Sequence, residues 1–325
     1  MQDLSTDTVS LLTDHPVPVA QPDSQDHLIR MHAAGLCARE LTWPKYFPPT
    51  NPDREMIPAY DMAGTVVAAP PSSPFQPGAE VYARTNYHLR AGCASDYTIA
   101  VTSELALKPT NLNWTEAAAV SLSALTAWQA LFVQAGLAAD IGGDSSSNRN
   151  GGKRLLITGA SGGVGGWVVQ LARLAGLEVV GTCGPDNMAL VRELGATEVI
   201  NYRTTVLADW ASEEAGRKVD VVIDCVGGRT LQDCWACVKD GGLLISIFQP
   251  PEEMKPVDLA AKDVKSLFFI MEPNGEQLSK ITALLEMGKC RPVIDSVWKL
   301  EDFEKAYARV DGGHAKGKVV LRIKD

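Results

Sequence analysis

LLITGASGGVGGWVVQLARLAG, residues 155–176, decides the fold. An apolar run ends in a glycine cluster, and apolar residues then return at helical intervals, which predicts a strand, a tight turn and a helix. Gly159, Gly162 and Gly165 stand in the spacing G-x-x-G-x-x-G. Lacking Cβ atoms, they allow positive φ in the turn and leave bare backbone where a pyrophosphate can lie. The peptide N–H groups opening the helix face that anion, and the helix dipole favours its charge. Ala160, Ser161, Gly163 and Val164 complete the turn and are expected to touch the cofactor beside the glycines. A glycine turn alone is also ordinary structural punctuation, so its surroundings decide.

Downstream, strand and helix alternate: EVVGTCG at 178–184, a helix through Leu194, EVINY at 198–202, VDVVIDCVGG at 219–228, a helix, then LLISIF at 243–248. Continuous apolar strands separated by helices predict an α/β domain with a doubly wound parallel sheet covered on both faces. Ligands of such sheets sit at the carboxyl ends of the strands, where strand order switches. Upstream, HLIRMHAAGL, DMAGTVVAAP, AEVYART and ASDYTIAV are short apolar runs among prolines, the pattern of an irregular β domain. From Trp114 the pattern turns helical, with EAAAVSLSALTAWQALFVQAGL at 116–137. Residues 138–153 form a polar, glycine-rich loop expected to be mobile. The tail from Glu272 gives two helices, in SKITALLEMG and LEDFEKAYARV, and a last strand, GKVVLRI.

A chain of 325 residues exceeds one ordinary domain, so two are expected. The formal charge of −9 and pI near 5.1 argue against nucleic acid or an anionic membrane surface as partner. No apolar stretch is long enough to span a bilayer and the first thirty residues lack a signal pattern, so a cytoplasmic location is expected. Seven cysteines, an odd and scattered set, suit reduced thiols. Cys234 and Cys237 form a C-x-x-C pair in a helical stretch with no second pair at zinc spacing, and are read as buried, inert thiols.

An NAD site usually places an acid about twenty residues beyond the glycine turn to hold the ribose 2′-OH. Here that strand ends Gly181-Thr182-Cys183-Gly184, and no carboxylate follows until Asp186. Nothing at Thr182 or Cys183 repels a 2′-phosphate, so NADPH is the expected cofactor. Arg192 and Arg203 are candidates for its partner cation.

HAAGL at 32–36, DMAGTVV at 61–67, ALKPTNLNWTEAAAVSLSALTAWQAL at 106–131, TGASGGVGG at 158–166 and HAKGKVVL at 314–321 together resemble the zinc-independent quinone oxidoreductase branch of the medium-chain dehydrogenase/reductase superfamily. The resemblance runs from about residue 15 to the end, in the family's order. It implies a GroES-like catalytic domain made of residues 1–124 and 266–325, enclosing a Rossmann-type dinucleotide domain at 125–265, in a monomer or homodimer. The chain departs from the family in opening with fewer residues before the first sheet, which predicts a rearranged edge, and in its longer 138–153 loop. Short-chain dehydrogenases share the TG-x-x-x-G-x-G pattern but need a Tyr followed four residues later by Lys, and none of the seven tyrosines is so placed.

The same resemblance assigns site residues. Thr126 contacts the nicotinamide end, or is a helix hydroxyl bonding the preceding turn. Tyr202 lies beside the adenosine ribose phosphate, and Cys225, Val226 and Phe248 end strands near the cofactor. Phe269 covers the nicotinamide or is an aromatic of the core or of a dimer strand. Lys318 reaches the cofactor from the tail or is a surface lysine. In zinc relatives a Cys, a His and a third ligand hold the metal. Cys37 falls at the first position, but the His position is Tyr60 and the region of Ser121 offers no third ligand, so no metal is expected. Without one, hydrogen-bond donors must polarise the small-molecule acceptor, which suits quinones, enones or enals, and enoyl thioesters. Tyr60 and Tyr46 are the candidate proton donors, or aromatic walls of the pocket. A non-redox protein on the same fold, holding NADPH structurally or as a signal, is the alternative.

Overall fold

The computed structural model describes residues 1–4, 8–21, 24–51, 54–139, 141, 149–214, 216–257 and 263–324. Contacts divide the chain into two compact units, one of Met1–Leu125 with Glu272–Asp325 and one of Thr126–Met271.

In the second unit six strands are all parallel, in the spatial order Glu198–Asn201, Glu178–Cys183, Arg154–Ile157, Val219–Asp224, Val238–Ser246 and Lys265–Phe268. Leu155, Leu156 and Ile157 are fully buried, as are Val179, Val180, Val222 and Ile223, so these strands read as continuous apolar runs. Burying each such side chain is worth roughly 1.5–3 kcal/mol. One face packs on the helix Gly228–Cys237 through Leu231, Cys234 and Trp235. Strand order switches between Arg154–Ile157 and Val219–Asp224, which puts the glycine turn at the crevice such sheets use for ligands. The last strand pairs Lys265–Phe268 with Leu243–Ser246, so the expected boundary between 265 and 266 cuts through a strand that hydrogen bonding assigns to this unit.

In the first unit a seven-stranded sheet runs Ile294–Lys299, Lys318–Arg322, Asp26–Leu36, Asp61–Ala68, Glu80–Arg84 and Leu105–Leu107, with Tyr97–Val101 also paired to Asp26–Leu36. Its core gathers Ile29, Met31, Leu36, Met62, Val66, Val81 and Leu105 with Ala306 and Tyr307 of the helix Phe303–Asp311. At the chain start, two-residue strands Gln2–Asp3 and Thr8–Val9 pair, and the Gln2 N–H donates to the Met56 carbonyl at 2.7 Å.

The helical stretch after Trp114 is not continuous. Trp114–Ala118 ends in a turn, Ser121–Trp128 starts anew, and Gln129–Gln134 widens to a π-helix. The break has a cause: the Asp61 carboxylate accepts from the Leu122 N–H at 2.6 Å and the Ser121 hydroxyl at 2.8 Å, capping the new helix from the neighbouring sheet. Half of the loop expected over 138–153, residues 140 and 142–148, lies outside the described residues. Its flanks are tied together, Asn150 Nδ2 donating to the Ala138 and Ala175 carbonyls at 2.8 and 3.0 Å.

All seven cysteines are free. Cys234 and Cys237 are fully buried, and burial pushes the Cys237 thiol up to about 12, as inert thiols require. Among the described residues no helix is long and apolar enough to cross a membrane.

Candidate active site

The glycine turn of the second unit favours glycine at two places for different reasons. Gly159 has φ of +65°. A Cβ on Gly165 would lie 2.2 Å from the Gly159 carbonyl oxygen, so only glycine lets the helix Gly163–Leu174 start flush against the turn. Among the described residues no side chain caps that helix, whose Ncap is Gly162 in extended conformation. Its first N–H groups therefore remain for an anion.

A buried carboxylate organises the crevice floor. Asp224, fully buried, accepts from the Thr158 hydroxyl at 2.7 Å, the Ser246 hydroxyl at 2.9 Å and the Gly227 N–H at 3.0 Å. Thr158 in turn accepts from the Cys225 N–H at 3.0 Å. Three strand ends are thereby locked together, with Val226 lying over Gly159 and the Phe248 ring against Gly227. Val226 and Phe248 are exposed, and the Phe269 N–H donates to the Ser246 carbonyl at 3.4 Å. Thr126 is buried, in the helix Ser121–Trp128.

At the second strand, the Thr182 hydroxyl accepts from the Gly159 N–H at 3.2 Å and its carbonyl from the Ala160 N–H at 2.8 Å. The Asn187 amide reaches the Ser161 hydroxyl at 3.2 Å. Cys183 is buried at 2% exposure, so the surface at this strand end is Gly184, with the exposed Tyr202 ring beside it.

The first unit holds a second group of residues around Tyr60. Ala59 has φ of +62°, and the Gly92 backbone packs so closely that a Cβ there would fall 2.3–2.5 Å from the carbonyl oxygens of Ile57, Pro58 and Ala59. This turn fixes Tyr60 at the start of the strand Asp61–Ala68, buried among rings: Tyr87 edge-on at 5.1 Å and Trp43 stacked at 6.0 Å. The Tyr60 hydroxyl accepts from Arg54 at 3.3 Å. Burial pushes its phenol up to about 12 although the Arg54 charge opposes the shift, so it stays neutral and able to donate. Tyr46, by contrast, is 74% exposed at the end of the single turn Trp43–Tyr46 and is not among these rings.

Lys318 is not a surface lysine. It is buried, and its ammonium pairs with Asp61 at 2.7 Å, on the carboxylate oxygen opposite the one that caps Ser121–Trp128. Burial works against its charge, but Asp61, Cys37 and Glu40 outweigh burial and raise its pKa. Nearby, Glu40 accepts from the Cys37 and Ala59 N–H groups at 3.1 and 3.0 Å and from the Tyr307 hydroxyl, and burial lifts its carboxyl to about 7. Cys37 itself is pushed up to about 11 by burial, with Glu40 and Asp61 adding to the effect.

Sequence reading had singled out none of Asp61, Glu40 and Asp224. The signal for Asp61 and Asp224 was present, since each is a lone acid against apolar strand sequence, where a carboxylate must find donors to be buried, whereas Glu40 opens the short turn Glu40–Thr42 outside any strand.

Residues 23–110 match the family described as the alcohol dehydrogenase GroES-like domain, and residues 194–321 the one described as zinc-binding dehydrogenase. A probable zinc-binding oxidoreductase, mitochondrial, of Arthroderma benhamiae is 54% identical over 99% of this chain and 95% of its own length. A chloroplast envelope quinone oxidoreductase homolog of Arabidopsis thaliana is 33% identical over 94% of this chain and 92% of its own. A crystal structure of an NAD-dependent alcohol dehydrogenase superposes with a TM-score of 0.81 at 25% identity, covering 96% of this chain and 95% of that one. The chain belongs to the medium-chain dehydrogenase/reductase superfamily of oxidoreductases, among its quinone oxidoreductase-like members.

Proposed function

We propose that the chain is a zinc-independent, NADPH-dependent reductase of activated acceptors: quinones, enones or enals, and enoyl thioesters. The observation that carries this reading is the turn at the strand switch, where Gly159 holds a positive φ, Gly165 leaves no room for a side chain, and among the described residues no side chain caps the helix N-terminus. When bound, a reduced nicotinamide supplies the hydride, and the acceptor completes its two-electron reduction by taking a proton. The chain's own contribution is to hold pyrophosphate on the turn and to offer a neutral phenol, Tyr60, as donor to the acceptor oxygen. NADPH oxidation followed at 340 nm across the three acceptor classes tests it. Tight NADPH binding without oxidation by any of them would favour a structural or signalling role for the nucleotide.

NADPH preference is supported by a second strand that ends without a carboxylate. The place to test it is Gly184, at φ −73° and ψ 162°, a conformation open to any residue. A Cβ there would make only ordinary contact with Tyr202, at 3.6–3.9 Å, whereas an acid at the buried Cys183 would chiefly destabilise. Gly184→Asp is expected to weaken NADPH binding at least tenfold by repulsion of the 2′-phosphate and to leave NADH binding the same or better. Equal dissociation constants for the two nucleotides in the parent protein would reject the preference.

Metal independence is supported by the donor set, against the zinc in the names of the matched families. The Cys37 thiol is held protonated by burial, and Asp61 is already engaged by Lys318, Ser121 and Leu122. A catalytic zinc needs three protein ligands and an open position. Activity is expected to survive exhaustive dialysis against EDTA, in protein with no stoichiometric zinc. Activity lost to the chelator and restored by zinc would overturn this part of the reading. A cytoplasmic location belongs to the same proposal and is checked by cell fractionation.

A further inference from the structure

The surroundings of Tyr60 hold two guanidinium groups that no carboxylate contacts among the described residues, although Asp61 lies across the strand from Arg84. Arg90 is paired with Glu104, but among the described residues no carboxylate pairs with Arg54 or Arg84. Arg84 is 6% exposed, and its guanidinium lies 5.0 Å from the centre of the Tyr60 ring and 5.6 Å from that of Trp43. Its guanidinium donates to the Thr85 carbonyl, and among the described residues its buried Nε has no partner. Arg54 donates to the Arg90 carbonyl and the Tyr60 hydroxyl, sits 5.1 Å over the Tyr87 ring, and likewise has a buried Nε without a partner.

A guanidinium has five N–H donors in a planar fork that matches a carboxylate. Withdrawn from water and left without a paired carboxylate, such a charge is costly, and stacking on aromatic rings offsets only part of the cost. Two of them beside one phenol therefore make a preformed place for a negative group. Trp43, Tyr60 and Tyr87 set its shape, with Trp43 and Tyr60 inclined by only 26° and Tyr87 edge-on to both, which suits a flat, conjugated ligand. The half-buried Trp43 and Arg54 form the accessible side.

We infer that Arg84, assisted by Arg54, binds a carboxylate carried by the acceptor, so that the preferred substrates of this protein are planar enones, enals or quinones that bear a carboxylate. The inference rests on the reading that the Tyr60 group receives the acceptor. Within it, Tyr60 acts at the reacting end and the arginines fix orientation and charge.

The test is equilibrium binding of trans-cinnamate and of cinnamamide to the full chain without nucleotide, by isothermal titration calorimetry. The two probes share shape and conjugation and differ in charge. Cinnamate is expected to bind at least tenfold more tightly, with the preference reduced to within twofold in Arg84→Met. Arg84→Gln is read in its place should the Met variant fail to fold, and Arg54→Met is expected to reduce the preference partly. Equal affinity of the parent for both probes, or a preference that survives the Arg84 substitution, overturns the assignment. Loss in the Arg54 variant alone moves the anion to Arg54 and overturns it as well. Because no nucleotide is present, failure of the reductase reading appears separately, as the absence of NADPH oxidation with any acceptor. Failure of this inference appears as equal affinities in a protein that still reduces neutral cinnamaldehyde.

Discussion

Replacing Lys318 with Met is expected to destabilise the first unit by about 3–5 kcal/mol, because it leaves the buried Asp61 carboxylate without its counter-charge. The two side chains are 6% and 1% exposed, so water cannot take the place of the ammonium. Room for the lysine stem is built into the sheet: a Cβ at Gly35 would fall 3.2 Å from the Lys318 Cε and 2.4 Å from the Ala118 carbonyl oxygen. Asp61 joins the first-unit sheet to the helix Ser121–Trp128 through Ser121 and Leu122, so the loss is expected to loosen that helix start too. Adding Asp61→Asn should recover part of the stability, since the amide oxygen still accepts from Leu122 and no charge is left buried. Urea unfolding combined with hydrogen exchange of Asp26–Leu36 and Lys318–Arg322 measures the effect in this unit rather than in the whole chain. A loss below about 1 kcal/mol would mean that the pair merely breaks even against its desolvation. A large fall in NADPH affinity with little loss of stability would instead give Lys318 the cofactor contact that the family resemblance implies.

That pair also shows where the sequence stops being legible. The parallel sheet was readable because its central strands are buried on both faces, so LLI at 155–157 and VVI at 221–223 carry a continuous apolar signal that survives any detail of packing. The glycine turn was readable for a similar reason, since a residue without Cβ at Gly159 and Gly165 answers a backbone demand local to the chain. Long-range polar pairing has no such local trace. Asp61 and Lys318 are 257 positions apart, and HAKGKVVL read alone offers a lysine as fit for the surface as for the core. The broken helix follows from the same gap: EAAAVSLSALTAW has continuous helical periodicity, and only the arrival of the Asp61 carboxylate at Leu122 makes a second N-terminus there. The edge strand Lys265–Phe268 was missed because pairing with Leu243–Ser246, rather than any change in composition, assigns it to the second unit. Arg84 was passed over since its partners, Trp43 and Tyr60, come from other segments.

Tyr60→Phe is expected to lower kcat by about 100- to 1000-fold, equivalent to about 2.7–4 kcal/mol, if the phenol stabilises the enolate or hydroquinone oxyanion formed after hydride transfer. The substitution is narrow. Phe keeps the ring that Tyr87 meets edge-on at 5.1 Å and that Arg84 covers at 5.0 Å, and it removes only the hydroxyl that accepts from Arg54 at 3.3 Å. With its phenol pushed up to about 12, Tyr60 cannot serve as a base at neutral pH, so its contribution is donation. The Arg54 bond supports that role, because a donor to the phenol oxygen makes its proton more available to the acceptor. NADPH affinity should stay unchanged, since the glycine turn lies in the other unit of the chain. Freeing one Arg54 N–H is expected to cost on the order of 1 kcal/mol of stability, which unfolding measurements separate from the rate effect. A kcat within about twofold of the parent, less than about 0.5 kcal/mol, would hand the proton to water and leave Tyr60 as an aromatic wall.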